Sequence, residues 1–143
     1  MEVSKSHFQF KNPELEILEF EINELFKNDD FDSFDKFEAS LDIARKEDWA
    51  KVSLCIVIGD KNENYPFHMR IVMSDEFRWF ECSKEQVEGY LNVNAPSLLL
   101  SYMRPIIASV TNSSRHSPLN LPFINFTETF EKRQKVEEYQ PAE

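Results

Sequence analysis

Residues able to do catalytic or metal chemistry are few in this chain, and they are scattered. His7, His68 and His116 lie on different predicted elements, and none has a second histidine or cysteine at a metal-ligand spacing. No serine lies in a G-x-S-x-G nucleophile turn. We therefore expect surface or interface histidines, no bound metal and no enzyme activity.

Glycine usage excludes nucleotide chemistry. A Walker loop or a dinucleotide fingerprint needs several glycines, because its backbone N–H groups must approach phosphates without side chains in the way. Only Gly59 and Gly89 are present. We expect no cofactor, and any function must proceed without ATP.

The segment from Asp30 to Asp35 has alternating oxygen ligands, like the start of a calcium loop. The glycine of the sharp turn and the closing bidentate glutamate are missing. An acidic loop is the simpler interpretation.

Phenylalanine is unusually abundant, and several of the thirteen phenylalanines cluster around this acidic connection, where a loop is normally polar. The cluster has two interpretations: a loop folded onto the core or onto a neighbouring subunit, or an apolar binding groove. A groove gains contact area from rigid aromatic rings at low entropic cost, and a flexible methionine adapts to varied partners. The groove candidates are Phe26, Phe31, Phe34, Phe37, Met103 and Phe123.

The first half of the chain predicts strands. Apolar and polar residues alternate over three stretches, as in half-buried strands, and a fourth stretch is nearly all apolar. These stretches are residues 18–22, 37–43, 67–73 and 52–58. Turn residues at 46–48 and 59–62 favour consecutive antiparallel strands. The segment from Leu15 to Phe26 also has a helical spacing, so a helix stays an alternative there.

Helix signals dominate the second half. Ser83 and Gln86 form a capping box that predicts a short helix to Leu91. Asn94 is a candidate N-cap for a long helix with Pro96 in its first turn. Apolar residues then recur every four positions, at Leu98, Tyr102, Ile106 and Val110, until residues 111–114 end the helix.

The stretch from Leu119 to Phe123 alternates apolar residues with polar residues and proline. It cannot form a central strand, because each proline removes a backbone donor. It must therefore pack on another part of the protein. Thr127 then predicts the cap of a final helix that carries Phe130.

These elements predict an α+β fold: a four-stranded antiparallel sheet covered on one face by the long helix and the C-terminal helix. Residues 1–143 form one domain, with a charged tail that frays after about residue 136. Strands that are apolar on both faces favour oligomerisation. Cys55 and Cys82 give no disulfide framework, and no signal segment or long apolar run is present, so we expect a cytoplasmic protein.

The net charge of −10 is concentrated between Glu14 and Asp42, where eleven acidic residues face two lysines. Phosphate backbones and anionic lipid surfaces would be repelled, so we expect neither nucleic-acid binding nor membrane insertion. The acidic surface suits a basic protein partner or simple solubility.

A second set of residues follows a family spacing without a gap. The set is Pro96, Leu98, Leu99, Tyr102, Arg104, Leu119, Asn120, Leu121, Asn125 and Phe126. This arrangement resembles the SecB family of protein-export chaperones, which also includes short relatives from Gram-positive bacteria and toxin–antitoxin chaperones. The resemblance implies a holdase that binds unfolded or nascent polypeptides, as a homodimer or as a homotetramer built from two dimers.

The resemblance also implies roles for individual residues. SecB proteins present carboxylates on the exposed sheet to a translocation motor, and Glu19 and Glu21 would form that acidic face here. Ile17 and Arg70 stand where further acids are usual, which weakens the docking. Arg104 either locks the long helix to the sheet or is a solvated helix arginine.

The sequence therefore predicts a SecB-like holdase. Two alternatives stay open: a dedicated regulatory partner, such as an antitoxin-selective chaperone, and a small-molecule function on the same fold.

Overall fold

The computed structural model describes residues 1–26, 37–59, 65–114 and 118–139. The predicted α+β fold is confirmed, and the described residues form five strands instead of four. The strands are β1 (Phe8–Phe10), β2 (Glu14–Ile22), β3 (Phe37–Arg45), β4 (Trp49–Ile58) and β5 (Phe67–Trp79). The helices are α1 (Lys84–Gly89), a π-helical turn (Tyr90–Asn94), α2 (Ala95–Asn112) and α3 (Phe126–Tyr139). β1 is not among the four strands predicted from alternation, because three residues are too few to establish that pattern.

All strand pairs are antiparallel. β3, β4 and β5 form a meander, as the turn residues predict, while β1 and β2 pair with the far side of β5. β2 and β3 therefore lie at opposite edges of the sheet. The helical alternative for residues 15–26 is wrong over β2, since tertiary pairing with β5 decides the conformation. Gly59 ends β4 with a φ of +75°, and a Cβ there would clash with the carbonyl oxygen of Phe67.

One face of the sheet holds the core. On β4 the residues Val52, Leu54 and Ile56 are fully buried, and the residues between them are more accessible. The α2 residues Met103 and Ile107 are also fully buried and belong to the same cluster. Each such side chain contributes about 1.5–3 kcal/mol through its removal from water. The covered face of the sheet therefore supplies most of the hydrophobic stabilisation.

The helical region is continuous from α1 to α2. The predicted capping box is present, since Gln86 N donates to Ser83 Oγ at 3.1 Å and Ser83 N donates to Gln86 Oε1 at 2.9 Å. The prediction that Asn94 caps a new helix is wrong, because Asn94 is itself helical and makes no side-chain cap bond.

The π-helical turn explains why the chain does not break at Pro96. A proline ring in a regular α-helix clashes with the carbonyl four residues earlier. A π turn widens the helix, and its hydrogen bonds span five residues instead of four, as in the bond that Ala95 N–H donates to the carbonyl of Tyr90. Asn92 Nδ2 also donates to the Glu88 carbonyl at 2.9 Å, within the same region. The side chain of Asn92 thereby helps to satisfy the distorted backbone.

The segment from Pro118 to Asn125 has no regular secondary structure and packs on α2, as its composition requires. Leu119 N donates to Thr111 Oγ1 at 2.8 Å, and Arg104 Nη2 donates to the Pro122 carbonyl at 2.8 Å. Leu119 is only 5% exposed. Side chains of α2 therefore replace the ladder bonds that the prolines prevent.

The cap of α3 is Asn125 and not Thr127. Glu128 N donates to Asn125 Oδ1 at 2.9 Å, which is the bond of an N-cap to the third helical residue. Thr127 lies inside the first turn of α3, because the helix begins at Phe126. The helical backbone continues to Tyr139.

We expect Thr111→Val to destabilise the fold by about 1–3 kcal/mol, because valine has the same shape but leaves the buried N–H of Leu119 without an acceptor. Chemical denaturation measures the loss, and hydrogen exchange at the Leu119 amide should accelerate. Ser113→Ala is the matched control, since its exposed hydroxyl bonds only within α2 in the described residues. Equal effects of the two variants would contradict this role of Thr111.

Candidate functional site

A groove lies between β3 and α3 on the covered side of the sheet. It consists of two adjoining cavities of about 500 Å³ and about 320 Å³, which share Leu41, Asn92 and Arg133. Its other lining residues are Ala39, Ser40, Ile43, Arg45, Leu54, Glu88, Ile124, Phe126, Thr129, Phe130 and Gln134. These volumes are in the range that binds a ligand or a few side chains of a peptide.

The groove has two walls, one from β3 and one from α3, and the residues in each wall are set by the strand or helix period. Leu41 and Ile43 pair with the buried Leu54 and Val52 of β4, so they lie on the covered face of the sheet. Both are only half-buried. The residues of α3 in the groove recur at helical spacing, as Phe126, Thr129, Phe130, Arg133 and Gln134. The groove is therefore a trough of mixed lining, apolar along Leu41, Ile43 and Phe130 and polar at one end.

The polar end is formed by four elements: β3, α1, the π turn and α3. Arg45 of β3 donates to Glu88 of α1 in a two-pronged bond, with Nη2 to Oε2 at 2.6 Å and Nε to Oε1 at 3.0 Å. Asn92 in the π turn is 6% exposed, and its Oδ1 lies 3.4 Å from Nη1 of Arg133. Such an end can hydrogen-bond a polypeptide whose side chains occupy the trough.

The four predicted groove candidates among the described residues do not lie together. Phe31 and Phe34 lie outside the described residues. Phe37 begins β3 and packs half-buried against the core, whereas Phe26 follows β2, at the opposite edge of the sheet. Met103 is fully buried beneath α2, so its prediction as a groove residue is wrong: its helical position faces the sheet.

Phe123 projects away from the trough. Its side chain is 92% exposed, and its ring stacks on the guanidinium group of Arg104 at 4.8 Å from the ring centroid. The neighbouring Ile124 lines the groove instead. Because Arg104 also bonds the Pro122 carbonyl, it fastens the 118–125 segment to α2 and not α2 to the sheet. The predicted lock between helix and sheet is therefore wrong.

The family-spaced residues occupy structural positions. Pro96, Leu99, Leu119, Leu121 and Phe126 are buried. Leu98 packs half-buried against the core, Tyr102 is 43% exposed and Asn120 is exposed. Asn125 caps α3. The shared spacing thus describes how α2, the irregular segment and α3 fit together, and the groove residues lie outside it, apart from Phe126.

The uncovered face of the sheet carries paired charges. Glu19 lies opposite Arg70, with Oε1 to Nη1 at 3.8 Å, and Glu21 lies opposite His68. Glu16 accepts from the hydroxyl of Ser74 at 2.6 Å and pairs with Lys51 at 2.9 Å. The predicted acidic face at Glu19 and Glu21 is therefore partly neutralised by the protein's own cations.

Two negative findings concern the described residues. In 1–26, 37–59, 65–114 and 118–139, no group of three or more histidine, cysteine, aspartate or glutamate side chains is placed to hold a metal ion. No helix in those ranges is long and apolar enough to cross a bilayer.

Comparison with known proteins identifies the family. Residues 11–137 match the family model described as preprotein translocase subunit SecB. The chain belongs to the SecB family. The resemblance predicted from the sequence is confirmed, and proteins of this family are chaperones and not enzymes.

Individual relatives are distant. The protein-export protein SecB of Orientia tsutsugamushi (strain Ikeda) is 26% identical over 133 residues, which cover 92% of this chain and 77% of the relative. The SecB of Anaplasma phagocytophilum is 43% identical over 53 residues, 37% of this chain and 34% of the relative.

Two solved structures share the fold. The SecB-like chaperone of Mycobacterium tuberculosis, in complex with a peptide from the HigA1 antitoxin, has a TM-score of 0.67 at 14% identity, covering 82% of this chain and 91% of that chain. A protein of unknown function from Streptococcus agalactiae has a TM-score of 0.51 at 16% identity, covering 84% of this chain and all of that one.

Sequence reasoning missed the main groove residues Leu41, Ile43, Asn92 and Arg133. The sequence does show the alternation of apolar and polar residues in β3 and the helical spacing of apolar residues in α3. Neither signal says that the two elements face each other, because that depends on the topology of the whole sheet. Asn92 gave no signal, since its position depends on the π turn.

On the uncovered face of the sheet, called the open face below, we expect one contribution to stability to depend on pH. The hydrogen bond from Ser74, with help from Lys51, lowers the pKa of Glu16 below its usual value. A carboxylate with a lowered folded-state pKa stabilises the fold above its unfolded pKa and loses that contribution as pH falls through the folded pKa. Ser74→Ala should therefore cost stability at neutral pH, and part of that cost should disappear in acid.

Urea denaturation at neutral and acidic pH measures this difference, and an NMR titration of the Glu16 carboxyl should show its pKa rising in the variant. Ser53→Ala, at the paired position on β4, is the control. A cost of Ser74→Ala that is the same at both pH values would contradict the account.

Proposed function

We propose that this protein is a holdase that binds unfolded or nascent polypeptides in the groove between β3 and α3 without ATP. The carrying observation is the half-buried apolar wall of Leu41 and Ile43, which faces Phe130 across an open trough. Side chains of an unfolded segment would gain hydrophobic burial there. The wall that carries Leu41 and Ile43 belongs to an edge strand, so a long chain would have access to it from the sheet edge.

β3 adds a second means of binding. It is an edge strand of the sheet, on the far side of β4 from β5. An edge strand offers main-chain donors and acceptors to an extended polypeptide whatever its sequence. Main-chain bonds together with adaptable apolar contacts suit a chaperone with many clients.

The peptide in the Mycobacterium tuberculosis structure supports polypeptide binding by this fold. It also supports a second candidate, a partner dedicated to one antitoxin-like client. The pairing of Glu19 with Arg70 favours this second candidate over delivery to a translocation motor, because a partly neutralised face attracts a basic partner less strongly. The two candidates differ in the clients they bind: a dedicated partner binds one client tightly, and a general holdase binds many clients weakly.

The assembly that we propose is a homodimer or homotetramer of single-domain chains spanning residues 1–143, in the cytoplasm. The outward side of α2 presents Leu98, Tyr102 and Ile106, which this chain's own elements leave half-buried or exposed. A second copy of the chain would cover them.

Light scattering should accordingly give at least twice the 16.9 kDa chain mass at micromolar concentration. Tyr102→Arg should lower the mass, because a charge would lie in the apolar contact. Asn112→Arg, an exposed position at the end of α2, should leave it unchanged. A strict monomer would contradict the assembly.

Blocking the groove tests the function. Thr129→Trp places a large ring in the trough from an exposed position, so it should abolish most of the suppression of aggregation of a denatured test protein while leaving the thermal midpoint nearly unchanged. Thr127→Trp is the matched control, since Thr127 is an exposed α3 residue outside the trough-lining set.

Equal activity of the two variants and the unmodified protein would place client binding elsewhere. Absence of holdase activity in the unmodified protein would remove general chaperone function and favour the dedicated partner.

A further inference from the structure

The fold sorts the charges of β3 between its two faces. Arg45 lies on the groove face with Leu41 and Ile43, while Glu38 and Asp42 alternate onto the opposite face. The carboxylates of this strand therefore point away from the groove. The local charge of the groove thus differs in sign from the net charge of the chain.

The groove keeps one uncompensated positive charge among its described lining residues. Its charged side chains are Arg45, Glu88 and Arg133. Glu88 is committed to Arg45 through the two short bonds at 2.6 and 3.0 Å. Two guanidinium groups against one carboxylate leave a charge of +1, which belongs to Arg133.

Arg133 lies where its charge can contact a bound polypeptide. It is the charged residue of the α3 stripe that lines both cavities, whereas Glu128 and Lys132 pair with each other at 2.9 Å. Among the described residues, its guanidinium group donates to the neutral Oδ1 of the buried Asn92, at the long distance of 3.4 Å. An incoming carboxylate would offer a shorter and stronger bond.

We infer that Arg133 selects polypeptide segments in which a carboxylate lies among apolar residues. The apolar residues fill the trough between β3 and α3, and the carboxylate bonds the guanidinium group at its polar end. This inference rests on the proposed function and adds the class of client. A basic side chain at the same place would instead face Arg133 and lose affinity.

Three fluorescent peptides of equal length test the selection. They carry the same apolar residues around a central glutamate, glutamine or lysine, and their affinities are measured at low salt by anisotropy. The glutamate peptide should bind the unmodified protein roughly fivefold to tenfold more tightly than the glutamine peptide, and the lysine peptide should bind most weakly. Arg133→Gln should remove the difference between glutamate and glutamine.

Lys132→Gln is the matched control, because it removes the same charge from the adjacent residue of α3, which is outside the trough-lining set. It should retain the preference. If the glutamate and glutamine peptides bind equally, and neither binds the Thr129→Trp variant, the carboxylate selection is overturned while peptide binding in the groove still holds. A preference that survives Arg133→Gln would also overturn it. Failure of all three peptides to bind would contradict the groove, and the inference with it.

Discussion

The arrangement of the whole helical layer depends on how the Pro118–Asn125 segment satisfies its backbone. Its prolines prevent it from joining the sheet, so its buried polar groups need partners on side chains. Thr111 and Arg104 supply them from one side of α2, and the segment runs along that helix before α3 begins. The apolar side of β3 is left half-buried, and the groove exists because of that incomplete cover.

The two faces of the sheet consequently have different chemistry. On the open face, carboxylates meet cations of neighbouring strands, as in the pairs Glu19 with Arg70 and Glu16 with Lys51. On the covered face, α2 buries the centre of the sheet and the β3 edge stays partly accessible. A client that needs apolar burial is therefore directed to the covered side, and on the open face a basic partner meets carboxylates of which Glu16 and Glu19 are already paired.

Local sequence patterns predicted the elements well, and contacts between distant elements were beyond them. Alternation and turn residues identified β2 to β5, and the capping box at Ser83 identified α1. Asn94 resembled an N-cap because Pro96 follows two residues later, but the π turn lets the helix continue through that proline. Asn125 and Thr127 are both residue types that cap helices well, and the start of α3 at Phe126 decides between them.

Met103 was predicted as an adaptable groove residue, but its position in the helical period of α2 places it against the sheet. The groove needs β3 and α3, which are far apart in sequence, and so periodicity could not reveal it.

Methyl NMR of the protein with an unfolded client tests the central claim most directly. The claim is that polypeptide binds beneath α3 on the covered face of the sheet. Isotope-labelled methyl groups of Leu41, Ile43 and Ile124 report on the groove, and those of Ile17 and Val57 report on the open face. The account predicts shifts confined to the first set when the client is added. Shifts confined to Ile17 and Val57 would contradict it.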